Sequence, residues 1–388
     1  MKWFPEHLSI ESHVAAIKFV LLLFDFATIF LIAMLLRVLQ LHAGWLIAYA
    51  WNPLVIKEIA NSGHLDSIAT FFIALSLLAI VKWHLSDRNT FGAIAFSATA
   101  LGLGVGAKLF PVLLVPVMLV GIAKQNRSNA IWFLSIFTIA SFVCLWPMFA
   151  SGGKKISHVE TAAKVWNDSG FDKQGVSEQG VSEQGARRDG FVGFFSSWRI
   201  NDAVFSAVYF NLKRRKSGSR SPWFVLTSAK FRSQFNHWLQ QSEIGGENAA
   251  FMVAKILTLG AFATFYLWQL VLLFRSPNQG SEFIVELIRR TTWVLAVFLM
   301  LQPTVNPWYF VWLAPLTCLT NQRGWLLVSG LLMIYYARFW FTSLDESFSV
   351  GGELYKGYQV FDEIVVWFEF GLIAIVLLLA AKWNRRID

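Results

Sequence analysis

An all-α polytopic membrane protein is the fold class the sequence predicts, and three observations carry it. Hydrophobic residues make up 56% of the chain and charged residues only 15%, against about 25% charged in a soluble protein. Several apolar runs exceed the roughly 18 residues that mark a bilayer-crossing helix. The remaining charged residues gather at the ends of those runs rather than through them. The net charge of +9 requires no nucleic acid, because Lys and Arg at cytoplasmic helix ends produce the same balance. Cys144 and Cys318 lie in apolar runs and carry no metal or redox spacing.

About eleven transmembrane helices are expected, in two bundles around one large loop. Residues 1–150 hold six spans, near 13–39, 43–59, 66–83, 91–107, a short fifth ending near 123, and 130–150. Gly102, Gly104 and Gly106 give the fourth a small-residue face suited to close helix approach. Residues 151–250 form the loop, and 251–388 hold five further spans, near 251–274, 291–306, 307–319, 325–342 and 364–381. Alternate short connections carry Arg37, then Lys82 and Arg88, Lys124 and Arg127, Arg275, Arg289 and Arg290, Arg323, and finally Lys382, Arg385 and Arg386. The positive-inside rule makes that set cytoplasmic. The C-terminus is then cytoplasmic and the loop extracytoplasmic, in a multi-pass protein of the plasma (inner) membrane.

The large loop is not uniform. Gly175 to Gln184 is a perfect tandem repeat of Gly-Val-Ser-Glu-Gln. A repeat so poor in apolar residues buries little surface and predicts disorder near 173–190. Farther on, residues 203–212 read as a helix lying on the outer membrane face. The cluster Lys213, Arg214, Arg215, Lys216 and Arg220 reads either as a solvated stretch resting on anionic headgroups or as a collar for lipid-linked phosphate.

Three polar points converge at the outer end on this topology. The first is the stretch from Trp51 to Asp66, which sets Lys57, Glu58, His64 and Asp66 between two apolar runs with a helix-breaking Asn52-Pro53 and Gly63. Charged groups beside membrane spans are costly and mark functional sites by default. Asp66 reads equally as a carboxylate at a helix N-terminus and as a catalytic group. With His64 it has the donor types for a divalent cation or a sugar hydroxyl, though two ligands do not complete a metal site. Lys57 and Glu58 suit either pairing with other helices or substrate contact. The second point is Lys108, a point charge for a phosphate or a snorkelling surface lysine. The third is Gln302 to Trp312, where Pro303 and Pro307 break the helix and leave backbone groups needing partners. Trp308, Tyr309 and Trp312 there suit sugar stacking or an interfacial belt. Asp25 and Arg338 lie inside spans and read as buried inter-helix pairs.

No P-loop, Gly-rich dinucleotide turn, Cys/His array or nucleophile elbow is present. No cytoplasmic Rossmann domain is on hand to hold a nucleotide sugar, so a glycosyl donor would arrive attached to lipid.

Four motifs together resemble polyprenyl-phosphate-sugar-dependent membrane glycosyltransferases of the GT-C type, with the closest likeness to glycosyltransferase family 87 and the bacterial polyprenol-phosphomannose mannosyltransferases. Trp51-Asn52-Pro53-Leu54 with Glu58, Gly63-His64 and Asp66 is similar to their W-N-P-L…E…G-H-x-D segment. Lys108-Leu109-Phe110-Pro111 with Pro116 resembles K-x-x-P…P. Phe195 to Asn201, including Trp198, resembles F…W-x-x-N. Asn306-Pro307-Trp308-Tyr309 with Trp312 and Pro315 resembles P-W-Y…W-x-x-P.

The resemblance implies transfer of a mannose-like hexose from a polyprenyl-phosphate donor to a lipid or glycan acceptor on the outer face. It implies Lys108 near the donor phosphate, His64 and Asp66 as catalytic candidates, and Asn52, Lys57, Glu58, Trp198, Asn201, Asn306, Trp308 and Tyr309 at the substrate. It also implies a further N-terminal span and an outer loop bearing the acidic base, whereas only Met1 to Glu11, with Glu6, His7 and Glu11, precedes the first span. Either the gene start is misassigned and that region is encoded before Met1, or the chain is a truncated, inactive relative. The rival reading is a transporter or flippase for a lipid-linked substrate, to which broken helices also belong. That class predicts related halves, and no internal repeat relates the two bundles.

Overall fold

The computed structural model describes residues 9–86, 91–150, 199–214, 222–241, 249–277, 280–320, 322, 324–344 and 346–384. Helix α1, Ile10–Val38, opens where the Ser9 side chain accepts a hydrogen bond from the Ser12 amide. Two charged residues, Lys18 and Asp25, lie within its apolar run. Lys18 donates to the carbonyl of Asn61 at 2.6 Å, and Asp25 accepts from Tyr49 at 2.7 Å, the inter-element pairing expected for it.

The expected second span is the main correction. Residues 43–61 form four short pieces instead of one helix: a 3₁₀ turn at Ala43–Leu46, helical turns at Ile47–Ala50 and Pro53–Val55, and a π turn at Ile56–Asn61. Pro53 has no amide hydrogen to donate and its ring clashes with the preceding turn, so a continuous helix cannot pass it. Asn52 takes over the broken end. Its Oδ1 accepts from the amides of Leu54 and Val55, and its Nδ2 donates to Ser329 Oγ at 3.1 Å. Apolar content alone had suggested a span, while the backbone breaks decide the shape.

Four helices follow: α2, Asp66–Leu85; α3, Phe91–Ala107; α4, Phe110–Gln125; and α5, Arg127–Ala150. Helix α3 lies between α2 and α5, and its glycines allow the approach. A Cβ at Gly102 would fall 2.6 Å from the Ala140 Cβ, and one at Gly106 2.7 Å from the Cys144 Cβ. Ser76 and Ser97 share a hydroxyl hydrogen bond of 2.8 Å across α2 and α3, an inter-helix polar contact of the kind common in bilayers.

The loop supplies two helices among its described residues. Helix α6, Val204–Leu212, forms within the stretch 203–212 expected to be helical, with Phe205 fully buried against Phe251. Helix α7, Ala229–Gln241, was not foreseen; Asn236 ties it to α6 by donating to the Leu212 carbonyl at 2.8 Å. The tandem repeat, Trp198, Arg215, Lys216 and Arg220 lie outside the described residues.

The second bundle comprises α8, Ala249–Arg275; α9, Ser281–Leu301; α10, Pro307–Leu319; α11, Gly324–Ser343; and α12, Gly357–Lys382. Helix α12 contains a second π turn, Phe361–Val365. A feature beyond an all-α plan stands between α11 and α12. Strands β1, Ser347–Val350, and β2, Glu353–Lys356, pair antiparallel around Gly351 and Gly352, whose φ values of 63° and 84° suit a two-residue hairpin turn.

Six helices among the described residues are long and apolar enough to cross a membrane: α1, α2, α5, α8, α11 and α12. Helices α3, α4 and α10 are apolar but shorter, and α9 carries Glu282, Glu286, Arg289 and Arg290 in its first half. The protein is thus a helical membrane protein, and the described residues show fewer than the eleven expected spans. Pro53 divides the expected second span, and Pro303 and Pro307 stand in the break between α9 and α10.

The α3–α5 contact sets a prediction. Gly102→Leu must displace Ala140 or the α5 backbone, an overpacking cost of about 1–3 kcal/mol. Thermal unfolding of the purified protein in detergent is expected to show a clear fall in Tm, whereas Gly92→Leu, which meets no atom within 4 Å, leaves it near the parent value.

Candidate functional site

Asp66 is the first residue of α2 and is fully buried. Leu65 occupies the capping position, with no side-chain cap, so the carboxylate is released from N-capping and turns to other partners. Lys108 Nζ lies 3.2 Å from Asp66 Oδ2, and the Trp312 indole N–H donates to Asp66 Oδ1. Lys108 follows α3 directly, and its amide closes that helix on the Gly104 carbonyl at 3.0 Å. The ammonium also lies 5.2 Å from the Tyr309 ring centre and 5.9 Å from that of Trp312, an additional cation–π attraction. Phe110 stacks on the Trp312 ring at 3.7 Å and 4°.

A second acid–base pair lies beside the first. His64 Nε2 is 3.1 Å from Glu58 Oε2, and the His64 amide donates to the Glu58 carbonyl at 3.1 Å. The π turn supplies that fit, because its wide hydrogen bonding leaves the Glu58 carbonyl open to an amide six residues on. Gly63 makes the return with φ of 72°, a left-handed conformation that glycine adopts without steric cost. The His64 ring stacks on Trp308 at 4.6 Å and 17°. Nε2 is the ring nitrogen that faces Glu58, which leaves Nδ1 as the other nitrogen able to carry a lone pair in the neutral ring.

The two pairs share one design. Glu58 and Asp66 are about 1% and 0% exposed, whereas His64 and Lys108 are 31% and 30% exposed. Each carboxylate lies beneath its partner, and the imidazole and the ammonium are the groups presented outward. Together they suit general-base work on a hydroxyl beside a point charge for an anion.

The remaining candidates divide. Trp308, Tyr309 and Asn306 sit in the same break as Trp312, between the end of α9 and the 3₁₀ turn that starts α10. Asn306 is buried, and its Oδ1 has no hydrogen-bond partner among the described residues. Lys57 donates to Ser62 Oγ at 2.7 Å and lies 4.6 Å from the Tyr336 ring centre. Asn52 commits its side chain to the Pro53 break. Asn201 is buried with φ of 50°, a left-handed position that Asn tolerates. Its Nδ2 donates to the Val305 carbonyl at 3.0 Å and to Glu369 Oε1 at 3.4 Å, so it holds the loop onto the Pro303–Asn306 break. Trp198 lies outside the described residues.

Next to Asn201, Asp202 is buried, and burial pushes its carboxyl up to about 7 against the opposing pull of Arg199. Arg338 pairs with Asp362 at 3.0 Å, as expected of an intramembrane arginine. Glu369 and the Trp312–Asp66 bond had escaped notice. Glu369 carried a visible signal, a lone carboxylate between Phe368 and Phe370; the Trp312–Asp66 bond joins residues 246 positions apart and has none.

A cavity of about 470 Å³ lies elsewhere, lined by Leu39, Ser276, Pro277, Glu282, Glu286 and Arg289 among others. Its acid Glu286 is already paired with Arg289 and Arg290, and none of the outward bases reaches it. No group of three His, Cys, Asp or Glu side chains that could hold a metal ion occurs among the described residues. No family model matches the chain, and no curated protein or solved structure matches it either.

The Lys108–Asp66 pair generates a double-mutant prediction. Lys108→Ala leaves a buried carboxylate without its cation, a loss of roughly 3–5 kcal/mol. Lys108→Ala combined with Asp66→Asn is expected to recover much of that loss in the thermal unfolding of the purified protein. Additive losses in the two single variants would show that the pair is not coupled.

Proposed function

We propose that this chain is an integral-membrane hexosyltransferase that moves a mannose-like hexose from a polyprenyl-phosphate donor to a lipid or glycan acceptor at the outer membrane face. One observation carries the reading: two buried carboxylates each hold a half-exposed base, and the two bases differ in kind. Transfer from a sugar phosphate needs both kinds at once, a base for the acceptor hydroxyl and a cation for the departing phosphate.

Lys108 takes the phosphate. Its ammonium is ion-paired with Asp66 at 3.2 Å and is the cation for a phosphate whose charge grows as the glycosidic C–O bond breaks. His64 takes the acceptor proton on Nδ1, and Glu58 steadies the ring and the charge it gains. Asp66 acts through Lys108 and is a positioning residue. Its burial and its two partners argue against the role of base that the sequence had offered it. Trp308, already stacked on His64, and Tyr309 provide ring faces for a pyranose. The gathering of these groups at one end of the helices, around two backbone breaks, favours a surface site over a path through the membrane and so favours transfer over transport.

The test is transfer of labelled hexose from polyprenyl-phosphate hexose to membrane glycan or lipid acceptors by the purified full-length chain. Transfer is expected, with His64→Ala lowering kcat by about a hundredfold or more and Lys108→Ala weakening donor binding. Absence of transfer from every polyprenyl-phosphate hexose, or a His64→Ala variant with unchanged kcat, overturns the proposal.

A further inference from the structure

Helix α7 is held to the protein along one side and presents aromatic rings on the next. The hold begins at α6, whose Phe205 and Tyr209 rings lie 5.0 and 5.7 Å from that of Phe251, in the first turn of α8. Asn211, near the end of α6, accepts from the amides of Leu226 and Thr227 at 2.7 and 2.9 Å, on the turn that leads into α7. Asn236 of α7 donates back to the Leu212 carbonyl, and Arg232 donates to the Thr227 carbonyl. Arg232 and Leu239 are buried, so that face of α7 is turned to the protein. The helix is thereby fixed close to the end of a membrane-crossing helix.

Each residue advances about 100° around an α-helix, so Phe231, Phe235 and Trp238 form one stripe about a quarter turn from the Arg232–Leu239 face. Phe231 and Phe235 stack at 6.0 Å and 11°, and Phe235 and Trp238 at 6.0 Å and 28°. Phe231 is 45% exposed and Trp238 56%. Across the helix from the stripe stand Ser233, His237 and Gln240, all exposed and polar. A helix lying along a bilayer beside a bundle needs these three sectors: one on the protein, one toward acyl chains and one toward water. Charge points to the same surface. Residues 203–242 hold seven Lys or Arg and no Asp or Glu, and Lys213, Arg214 and Lys230 among them are exposed. A protein partner fits less well. An aromatic side chain buries about 150–250 Å², so three half-open rings offer roughly 300 Å², well short of the roughly 800 Å² per partner of a stable complex.

We propose that α7 is a membrane-surface helix, its Phe231–Phe235–Trp238 stripe seated in a bilayer leaflet and its flanking Lys and Arg selecting anionic headgroups. Seating α7 steadies α6 and the Arg199–Asp202 stretch just before it. There the Ile200 amide donates to the Pro303 carbonyl and the Ile200 carbonyl accepts from the Val305 amide, both at 3.0 Å, so the lipid contact continues through the loop to the break before Trp308. This role is independent of which reaction the neighbouring pairs perform.

The experiment uses the full-length protein carrying Cys144→Ala and Cys318→Ala. A nitroxide is attached through Trp238→Cys or, separately, through Gln240→Cys, about 200° farther round the helix. The protein is reconstituted in phosphatidylcholine vesicles with and without phosphatidylglycerol. Electron paramagnetic resonance then reads collisions with oxygen, which concentrates in lipid, and with a water-soluble nickel chelate. The oxygen-to-nickel ratio is expected to be several-fold higher at position 238 than at 240 and to rise further with phosphatidylglycerol, a rise that Lys230→Gln reduces. Equal ratios at the two positions overturn the proposal, and so does a label at 238 shielded from both reagents, the mark of a protein partner. A ratio at 238 unchanged by phosphatidylglycerol overturns the selection of anionic lipid. Should these variants fail to fold, hydrogen exchange of the α7 amides in the unmodified protein decides: slower exchange in vesicles containing phosphatidylglycerol supports the proposal, and equal exchange overturns it.

Discussion

The buried Asp66 carboxylate constrains more of this molecule than any other group. A charge taken out of water must be matched by partners of excellent geometry or it destabilises the fold, and here the partners come from two distant segments. Lys108 closes α3, and Trp312 belongs to the 3₁₀ turn that begins α10. Lys108 and Phe110, two residues apart, both contact the Trp312 ring. The ion pair, the indole bond and the ring stack thus fix the start of α2, the end of α3 and the break before α10 as one unit.

From there the order propagates along a single turn. Trp308 and Trp312 occupy the same 3₁₀ stretch; one indole binds Asp66, and the other stacks on His64. His64 in turn meets Glu58 through both its ring and its backbone. The two acid–base pairs are therefore linked by one rigid aromatic strut. Lys18, reaching from α1 to the Asn61 carbonyl, steadies the π turn from behind. Groups that must keep their spacing to within fractions of an ångström are best held in this way, by side chains whose rotamers are locked by packing.

Much of the bundle was legible because apolar runs flanked by charge leave few alternatives. Helices α1, α2, α3 and α12 lie close to where hydrophobicity alone places them. The stretch 43–61 was misread for a physical reason: it has the apolar content of a span, yet Pro53 and the capping Asn52 divide it. The hairpin at Gly351-Gly352 went unread although paired glycines are a recognised turn signal. At the site, the types and rough neighbourhood of His64, Asp66, Lys108 and Trp308 could be read from local composition. Their pairing could not. Which acid meets which base depends on contacts such as Trp312 to Asp66, between residues remote in the chain. Burial then reverses the apparent roles, hiding the acids and presenting the bases.

The two π turns, Ile56–Asn61 and Phe361–Val365, each hold a carboxylate that makes an ion pair, Glu58 and Asp362. A π turn accommodates one residue more than the α-helical path between the same ends, and relaxing it to α-helix advances the following side chain phase by roughly 100°. Each acid therefore sits on a spare residue, whose migration along the backbone would swing it away from its base while leaving the ends of the helix where they are. The polar chemistry of this membrane protein is mounted on the segments of its backbone where rotation of a side chain costs the surrounding bundle least.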